Sequence, residues 1–209
     1  MNRVVITGAG TINALGATVP ETLQAMREGR LGIGPLHMRD LDRLSVKIGA
    51  QIKDFDPEIY FDRQKLALYD RVTQLTFMAS REAMAQSGLE ITDELSESTG
   101  VVLGTAAGGM NTWDDNFRSV YEDGKNRVHP FVVPKLMNNA AASHLSIAYN
   151  IKGPSLTVST ACASSNHAIG LAFQMVRSGM AQVMLAGGAD AMLTFGGIKA
   201  WEGLRVMSK

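Results

Sequence analysis

The feature that most constrains the fold is a short apolar run that ends in small residues, and it occurs four times in the 209-residue sequence. Each run has the length and the branched side chains of a strand, and the small residues after it are typical of a tight turn. We therefore predict four strands, the first buried around Val4–Ile6. The runs are VVITGAG (4–10), GVVLGTAAGG (100–109), SLTVSTAC (155–162) and QVMLAGGAD (182–190).

The segments between these runs have apolar residues at helical spacing, and they contain no linker or low-complexity stretch. Strands that alternate with helices indicate an α/β domain whose mostly parallel or mixed sheet is covered by helices in three layers. We assign residues 1–209 to this one domain. The predicted helices span about 18–27, 70–87 up to Gly88, a segment with Trp113 and Phe117 on one face, 134–149 and a helix that follows Cys162.

The charge balance and the single cysteine exclude several classes of protein. Twenty basic and twenty acidic residues cancel, so no overall field attracts nucleic acid or an anionic membrane. One cysteine cannot form an intramolecular disulfide and gives no basis for a zinc site. The sequence has no signal peptide and no apolar run of membrane-spanning length, so we expect a cytoplasmic location.

The glycines after the first run raise the alternative of a nucleotide site, because pyrophosphate binds where a glycine turn opens a helix. Gly8 and Gly10 begin such a fingerprint, but Asn13 stands where its third glycine would be. We expect these glycines to allow close packing instead. A nucleotide-dependent reductase is the weakest functional alternative.

Cys162 lies where the third predicted strand meets a helix, with alanine on both sides. A lone cysteine is often a small buried residue. At a helix start, however, unpaired N–H groups and the helix dipole stabilise the reactive thiolate, and the same N–H groups can hold an oxyanion. We predict Cys162 as an acyl-transfer nucleophile, with the N–H groups of Cys162 and Ala163 as oxyanion donors.

The stretch GPSLTVSTACASSNHAIGLAFQMVRSGMAQVMLAGGAD closely resembles the nucleophile region of chain-elongating β-ketoacyl-acyl-carrier-protein synthases. The similarity extends to RVVITGAGTINALG, VVLGTAAGG, HPFVVPKLMNNAAASHLSIAYNIKGPS and GIKAWEGLRVMS, and so covers the whole sequence. It implies the N-terminal half of a thiolase-like fold and an acyltransferase of fatty acid or polyketide-type biosynthesis. Cys162 would take an acyl group as a thioester, and decarboxylated malonyl-carrier protein would then attack that thioester.

The same resemblance implies an acyl-carrier protein as partner and a homodimer that pairs through SLTVST. Phosphopantetheine would arrive on the carrier, so we expect no bound cofactor and no metal. The resemblance also places residues around the acyl group and the carrier. They are Trp113 and Val132 at the acyl pocket, with packing of Trp113 on Phe117 as the alternative, and Lys65, Lys125, Arg127 and Arg205 at the carrier-docking surface.

Members of this family also have a second half that supplies two histidines and a lysine for decarboxylation, and this half is absent from the sequence. His37, His129 and His144 lie outside the catalytic motifs. We interpret His167 as a packing or hydrogen-bonding residue, with a role as general base as the lesser alternative. We expect a fragment of a complete enzyme, or a split synthase whose other half acts in cis or in trans, inactive in condensation alone. The alternative is a non-catalytic partner or assembly subunit of a ketosynthase complex. A role in secondary metabolism or nodulation stays open.

Overall fold

The structure, a computed structural model, describes residues 1–208. None of the helices in this range combines the length and the hydrophobicity that a bilayer crossing demands. The helices are α1 (Val19–Arg27), α2 (Arg63–Leu68), α3 (Arg71–Ser87), α4 (Asp93–Ser96), α5 (Met110–Tyr121), α6 (Val132–Leu136), α7 (Ala140–Ala148), α8 (Ser164–Ser178) and α9 (Phe195–Gly203). The strands are β1 (Gly34–Pro35), β2 (Ile48–Gly49), β3 (Thr99–Gly104), β4 (Ser155–Val158) and β5 (Val183–Gly188).

Three of the four predicted strands form a parallel sheet in the order β4-β3-β5. The central strand β3 is buried along its whole length, as its unbroken apolar sequence requires. Its last residue, Gly104, lies opposite Val158 of β4 and Gly188 of β5. Because the three strands run in the same direction, their carboxyl ends meet at one edge of the sheet.

Helices cover both faces of this sheet, which confirms the layered α/β fold. Val101 and Leu103 of β3 join one core cluster with Leu145 of α7. Val102 faces the other way and joins a second cluster with Ala168 of α8. The alternation of side chains along one strand thus builds a core on each face of the sheet.

Helix α3 begins and ends where the sequence predicts. Asp70 caps it by accepting a hydrogen bond from the Val72 N–H (3.0 Å), and Gly88 ends it with a left-handed φ of 62°. The second carboxylate oxygen of Asp70 accepts bonds from the N–H (2.7 Å) and the hydroxyl (2.6 Å) of Thr112. This buried aspartate therefore joins the start of α3 to α5.

The prediction of one helix over 134–149 is wrong, because the chain leaves helical geometry between α6 and α7. Met137 is extended, with a ψ of 142°. The Asn138 amide donates to the Ser159 hydroxyl (3.3 Å), and the Leu136 carbonyl accepts from the Gly109 N–H (3.1 Å). These contacts to the carboxyl edge of the sheet replace the bonds that would continue the helix.

The prediction of a buried first strand is also wrong. Within residues 1–208 no strand pairs with the segment 4–6, and Val5 and Ile6 are 60% and 89% exposed. The segment lies beside α3, where the Ala9 N–H donates to the Gln86 side chain (2.6 Å). This contact joins the chain just after the segment to α3.

Close packing at the first glycines, in contrast, is confirmed. A Cβ atom on Gly8 would lie 2.0 Å from the Ala83 carbonyl oxygen, and one on Gly10 would lie 1.9 Å from the Ala79 carbonyl oxygen. Both distances are far shorter than any real contact of a Cβ. The two glycines let the N-terminal segment lie directly on the backbone of α3.

A small antiparallel hairpin, β1–β2, lies beside α5 and α9 and was not predicted. Ionic contacts fasten the loop between its strands. Arg118 of α5 is almost fully buried and pairs with Asp40 of this loop and with Asp114 (3.3 Å). Glu202 of α9 accepts a hydrogen bond from the Val46 N–H (2.9 Å).

Candidate active site

The segments that follow the three parallel strands are joined by hydrogen bonds at the carboxyl edge of the sheet. The Thr105 N–H after β3 donates to the Val158 carbonyl of β4 (3.1 Å), and the Ala189 N–H after β5 donates to the Gly104 carbonyl (3.1 Å). The Ser159 hydroxyl donates to the Thr105 carbonyl (2.7 Å). The three strand ends therefore hold each other in fixed positions.

Cys162 lies at this edge, in a tight elbow between β4 and the 15-residue helix α8. It is exposed. The preceding residue, Ala161, has a φ of 51°, in the left-handed region that alanine rarely adopts. This reversal brings the chain from the strand into the helix within a few residues.

The first backbone N–H groups of the elbow differ in availability. The Ala163 N–H donates to the Thr160 carbonyl (3.1 Å), whereas the Cys162 N–H makes no hydrogen bond within residues 1–208. The sequence prediction of two free oxyanion donors is thus wrong for Ala163, because the tight turn uses its N–H. Of the two, the Cys162 N–H is the available donor.

Two glycines, Gly104 and Gly188, support the first turn of α8, and we call this pair the elbow floor. A Cβ atom on Gly104 would lie 2.3 Å from the carbonyl carbon of Ser164. One on Gly188 would lie 2.6 Å from the Cβ of Ser165. The start of α8 therefore rests on the backbone of β3 and β5 with no space for a methyl group.

Asp190, which the sequence analysis missed, fixes the loop after β3. Its carboxylate accepts hydrogen bonds from the Thr105 hydroxyl (2.8 Å) and from the N–H groups of Ala106 and Ala107 (both 3.1 Å). A carboxylate directly after an apolar strand is the signal that could have identified it. The loop beside the elbow is therefore held by a charge from the end of β5.

The two predicted acyl-pocket residues lie in different surroundings. Trp113 is 41% exposed and packs against Phe117 of the same helix, with ring centroids 4.8 Å apart and the ring planes tilted by 36°. Phe117 is followed by Tyr121 at 6.1 Å, and we call these three rings the aromatic face. Val132 instead lines a cleft of about 250 Å³.

This cleft lies between α2, α5 and α6 and is lined by both polar and apolar side chains. Partial burial, with the nearby carboxylates of Asp114 and Asp70, raises the pKa of Asp115 above its usual range. Lys135 reaches the Leu66 carbonyl at 3.4 Å. The other lining residues are Ala67, Thr112, Asn116, His129, Phe131 and Val132.

No hydrogen bond joins a histidine to the Cys162 sulfur within the described part of the chain. His144 is half-buried and packs on Tyr69 at 4.7 Å, and its burial lowers its pKa. The side chain of His167 is exposed on α8, and its backbone N–H donates to the Ala163 carbonyl (3.0 Å). In residues 1–208, no group of three or more acidic, histidine or cysteine side chains could bind a metal ion.

The predicted docking residues lie on three separate segments and are all exposed. Lys65 of α2 pairs with Asp62 (2.9 Å), and Lys125, after α5, pairs with Asp123 (3.5 Å). Arg127 lies in the same loop as Lys125, and Arg205 follows α9. Two of the four charges are therefore partly neutralised by a near neighbour.

Comparison with known proteins identifies relatives over the full sequence. A family profile described as "Beta-ketoacyl synthase, N-terminal domain" matches residues 1–209. Nodulation protein E of Rhizobium sp. (strain N33) is 41% identical over 206 residues, which are 99% of this chain and 51% of that protein. 3-Oxoacyl-[acyl-carrier-protein] synthase 2 of Coxiella burnetii is 34% identical over 206 residues, 99% of this chain and 50% of that protein.

A solved structure agrees with these matches. The crystal structure of a β-ketoacyl synthase from Burkholderia phymatum STM815 superposes with a TM-score of 0.86 and 30% sequence identity. The superposition covers 100% of this chain and 51% of that one. The chain thus spans about half the length of these relatives.

Proposed function

The chain belongs to the β-ketoacyl synthase family, and from that premise we propose that it supplies the nucleophile half of a 3-oxoacyl-acyl-carrier-protein synthase. Cys162 is the acyl-carrying residue. The observation that carries the proposal is its exposed position at the strand-to-helix elbow, beside a free N–H group. A cysteine kept only for packing would be buried.

In the first step, the Cys162 thiolate attacks the carbonyl carbon of an acyl thioester on carrier-protein phosphopantetheine. The carbonyl oxygen becomes an oxyanion, to which the Cys162 N–H donates. The intermediate then collapses, the phosphopantetheine sulfur leaves and takes up a proton, and the acyl group stays on Cys162. Phosphopantetheine is part of this substrate, so the step needs no bound cofactor.

In the second step, malonyl-carrier protein loses carbon dioxide and its carbanion attacks the Cys162 thioester. A carbon–carbon bond forms, the sulfur of Cys162 leaves, and the product is a β-ketoacyl-carrier protein. None of the four histidines bonds to the Cys162 sulfur within residues 1–208. We therefore propose that this chain alone accepts an acyl group, and that condensation requires the second half found in longer family members.

The carrier-docking surface and the acyl pocket keep their predicted residues in this proposal. Carrier proteins are acidic, so exposed basic side chains favour docking through complementary charge. Lys65, Lys125, Arg127 and Arg205 are exposed and can serve this purpose. The acyl chain extends along Trp113 and Val132.

We further propose a homodimer that forms through β4. This strand is at the edge of the sheet, and Leu156 on it is 43% exposed. An uncovered edge pairs readily with another chain. Light scattering tests this, because Leu156→Lys should shift the chain to monomer while Ile169→Lys, at an exposed position on α8, should not. A dimer that survives Leu156→Lys would remove the proposal.

Incubation of the full chain with an acyl-carrier-protein thioester tests the main proposal. Mass spectrometry should find the acyl mass on the peptide with Cys162 and no adduct in Cys162→Ala. Malonyl-carrier protein should then yield no product until a second half is added. Fast alkylation by iodoacetamide without acyl transfer would instead support a non-catalytic partner subunit.

A further inference from the structure

We propose that Ser164 is a positioning residue for Cys162, and that its hydroxyl keeps the elbow in the conformation that acyl transfer needs. This inference rests on the proposed function of Cys162. Ser164 is the first residue of α8 and is 3% exposed, so its hydroxyl is shielded from water. It acts only through the backbone of the elbow.

The Ser164 hydroxyl closes the elbow with two hydrogen bonds. It accepts from the Thr160 N–H at 2.9 Å and donates to the Ala161 carbonyl at 2.6 Å. The Ala161 carbonyl also accepts from the Ser164 N–H at 3.1 Å. The side chain of Ser164 thus bonds to the backbone of Thr160 and Ala161, on the other side of Cys162.

Ala161 needs this support because its left-handed backbone is unfavourable. In that conformation the Cβ of an alanine is crowded by the following carbonyl oxygen, a cost that glycine does not have. Strained conformations persist only where the surroundings enforce them. The two bonds of Ser164 lie on either side of this strained residue.

The elbow floor prevents Ser164 from moving away. The backbone of Ser164 lies on Gly104, where a Cβ would come within 2.3 Å of it. Contact with Gly104 fixes the start of α8, and the hydrogen bonds of the Ser164 hydroxyl fix the turn before it. Together they set the position of Cys162. Substitution of such a side chain can slow a reaction although the side chain does not touch the substrate, because misplacing a reacting group by about 1 Å can lower the rate about 100-fold.

Three variants of the full chain test the inference. Ser164→Ala removes both hydrogen bonds, and Ser165→Ala is the matched control, since the Ser165 hydroxyl makes no hydrogen bond within residues 1–208. The double variant Ala161→Gly/Ser164→Ala removes the backbone strain as well. The measurements are the rate of acyl transfer to Cys162 at saturating acyl-carrier protein, and amide hydrogen exchange of the peptide 158–166.

Ser164→Ala should slow acyl transfer about 10- to 100-fold with little change in the half-saturating concentration. It should also speed exchange in the elbow, while Ser165→Ala matches the wild type in both measurements. The double variant should recover at least part of the rate, because glycine adopts the left-handed conformation freely. If Ser164 served only the stability of α8, the double variant would not regain acyl transfer.

The two proposals fail separately. If the wild type takes no acyl group, the proposed function fails, and faster exchange in Ser164→Ala but not in Ser165→Ala still supports the backbone part of the inference, that the Ser164 hydroxyl holds the elbow. Unchanged exchange in Ser164→Ala would overturn that role. So would an acyl-transfer rate equal to the wild type, and so would a Ser165→Ala variant that is equally slow.

Discussion

The two ends of the loop that follows β3 contrast sharply. At one end Gly104 lies under α8 with no space for a methyl group, and Asp190 holds the backbone beyond it. At the other end the loop opens into α5, whose aromatic face is partly exposed at Trp113 and Phe117 and ends in Tyr121, which is 80% exposed. The support beneath Cys162 is thus tightly packed, whereas the aromatic face of α5 is partly open to solvent.

The largest effect on stability should come from adding a methyl group to the elbow floor. Gly104→Ala places a methyl group 2.3 Å from the backbone of Ser164, so we expect a loss of about 3 kcal/mol or more in the free energy of unfolding. Gly170→Ala, in the middle of α8 with open space around it, should instead gain about 0.5–1 kcal/mol. Urea denaturation measures both. Similar values for the two variants would show that the floor is not tightly packed.

The next largest effect on stability compares the truncation of a core side chain with that of a side chain on the aromatic face. Leu145→Ala should cost about 2–5 kcal/mol, because this side chain is fully buried between α7 and the sheet. Tyr121→Ala should change stability by less than about 0.5 kcal/mol. A large loss in Tyr121→Ala would mean that the aromatic face is already covered in solution, for example by a second copy.

The aromatic face is also the place where the acyl chain can be tested. Trp113→Ala, in a complete enzyme that contains this half, should lengthen the accepted acyl chains, because the indole fills more volume than a methyl group. The measurement is the product profile with carrier-bound acyl chains of increasing length. Val120→Ala, at an exposed position on α5 outside the aromatic face, is the control. An unchanged profile in Trp113→Ala would leave the tryptophan with only its packing role.

The smallest effect concerns the charged contacts of Glu202, which joins α9 to the loop between β1 and β2. Lys199 and the Val46 and Ser45 N–H groups lower the pKa of Glu202 to about 2. A lowered pKa means that the carboxylate stabilises the fold above pH of about 4.5 and that this gain is lost as pH falls toward about 2. Glu202→Gln should therefore lower the melting temperature at pH 7 and match the wild type near pH 2. Glu58→Gln, at an exposed position, is the control variant.

The sequence predicts well those elements whose pattern is local. The runs around β3, β4 and β5 form strands, and Thr18, Asp70 and Gly88 mark helix ends as expected. Residues 4–6 have the same β-branched pattern but form no strand, because a strand also needs a partner that its own sequence does not specify. The break between α6 and α7 likewise comes from contacts to distant residues.

The same limit applies to the candidate site. The elbow around Cys162 follows from a strand, small residues and a helix in succession, all of which are local. Asp190 and the hydroxyl of Ser164 were missed as backbone supports, and so was the use of the Ala163 N–H. Such bonds depend on how the turn closes, and a polar residue in a sequence does not show which backbone group it will meet.

The hydrogen bonds that join Asn2 to α8 have a consequence for biosynthesis. The Asn2 N–H donates to the Arg177 carbonyl at 2.9 Å, and the Asn2 side chain donates to the Val176 carbonyl at 3.2 Å. At a synthesis rate of about 5–20 residues per second, the ribosome needs about 9 to 35 seconds to produce this partner. During that time the apolar stretch around Ile6 lacks this anchor, so its final position waits for the synthesis of α8.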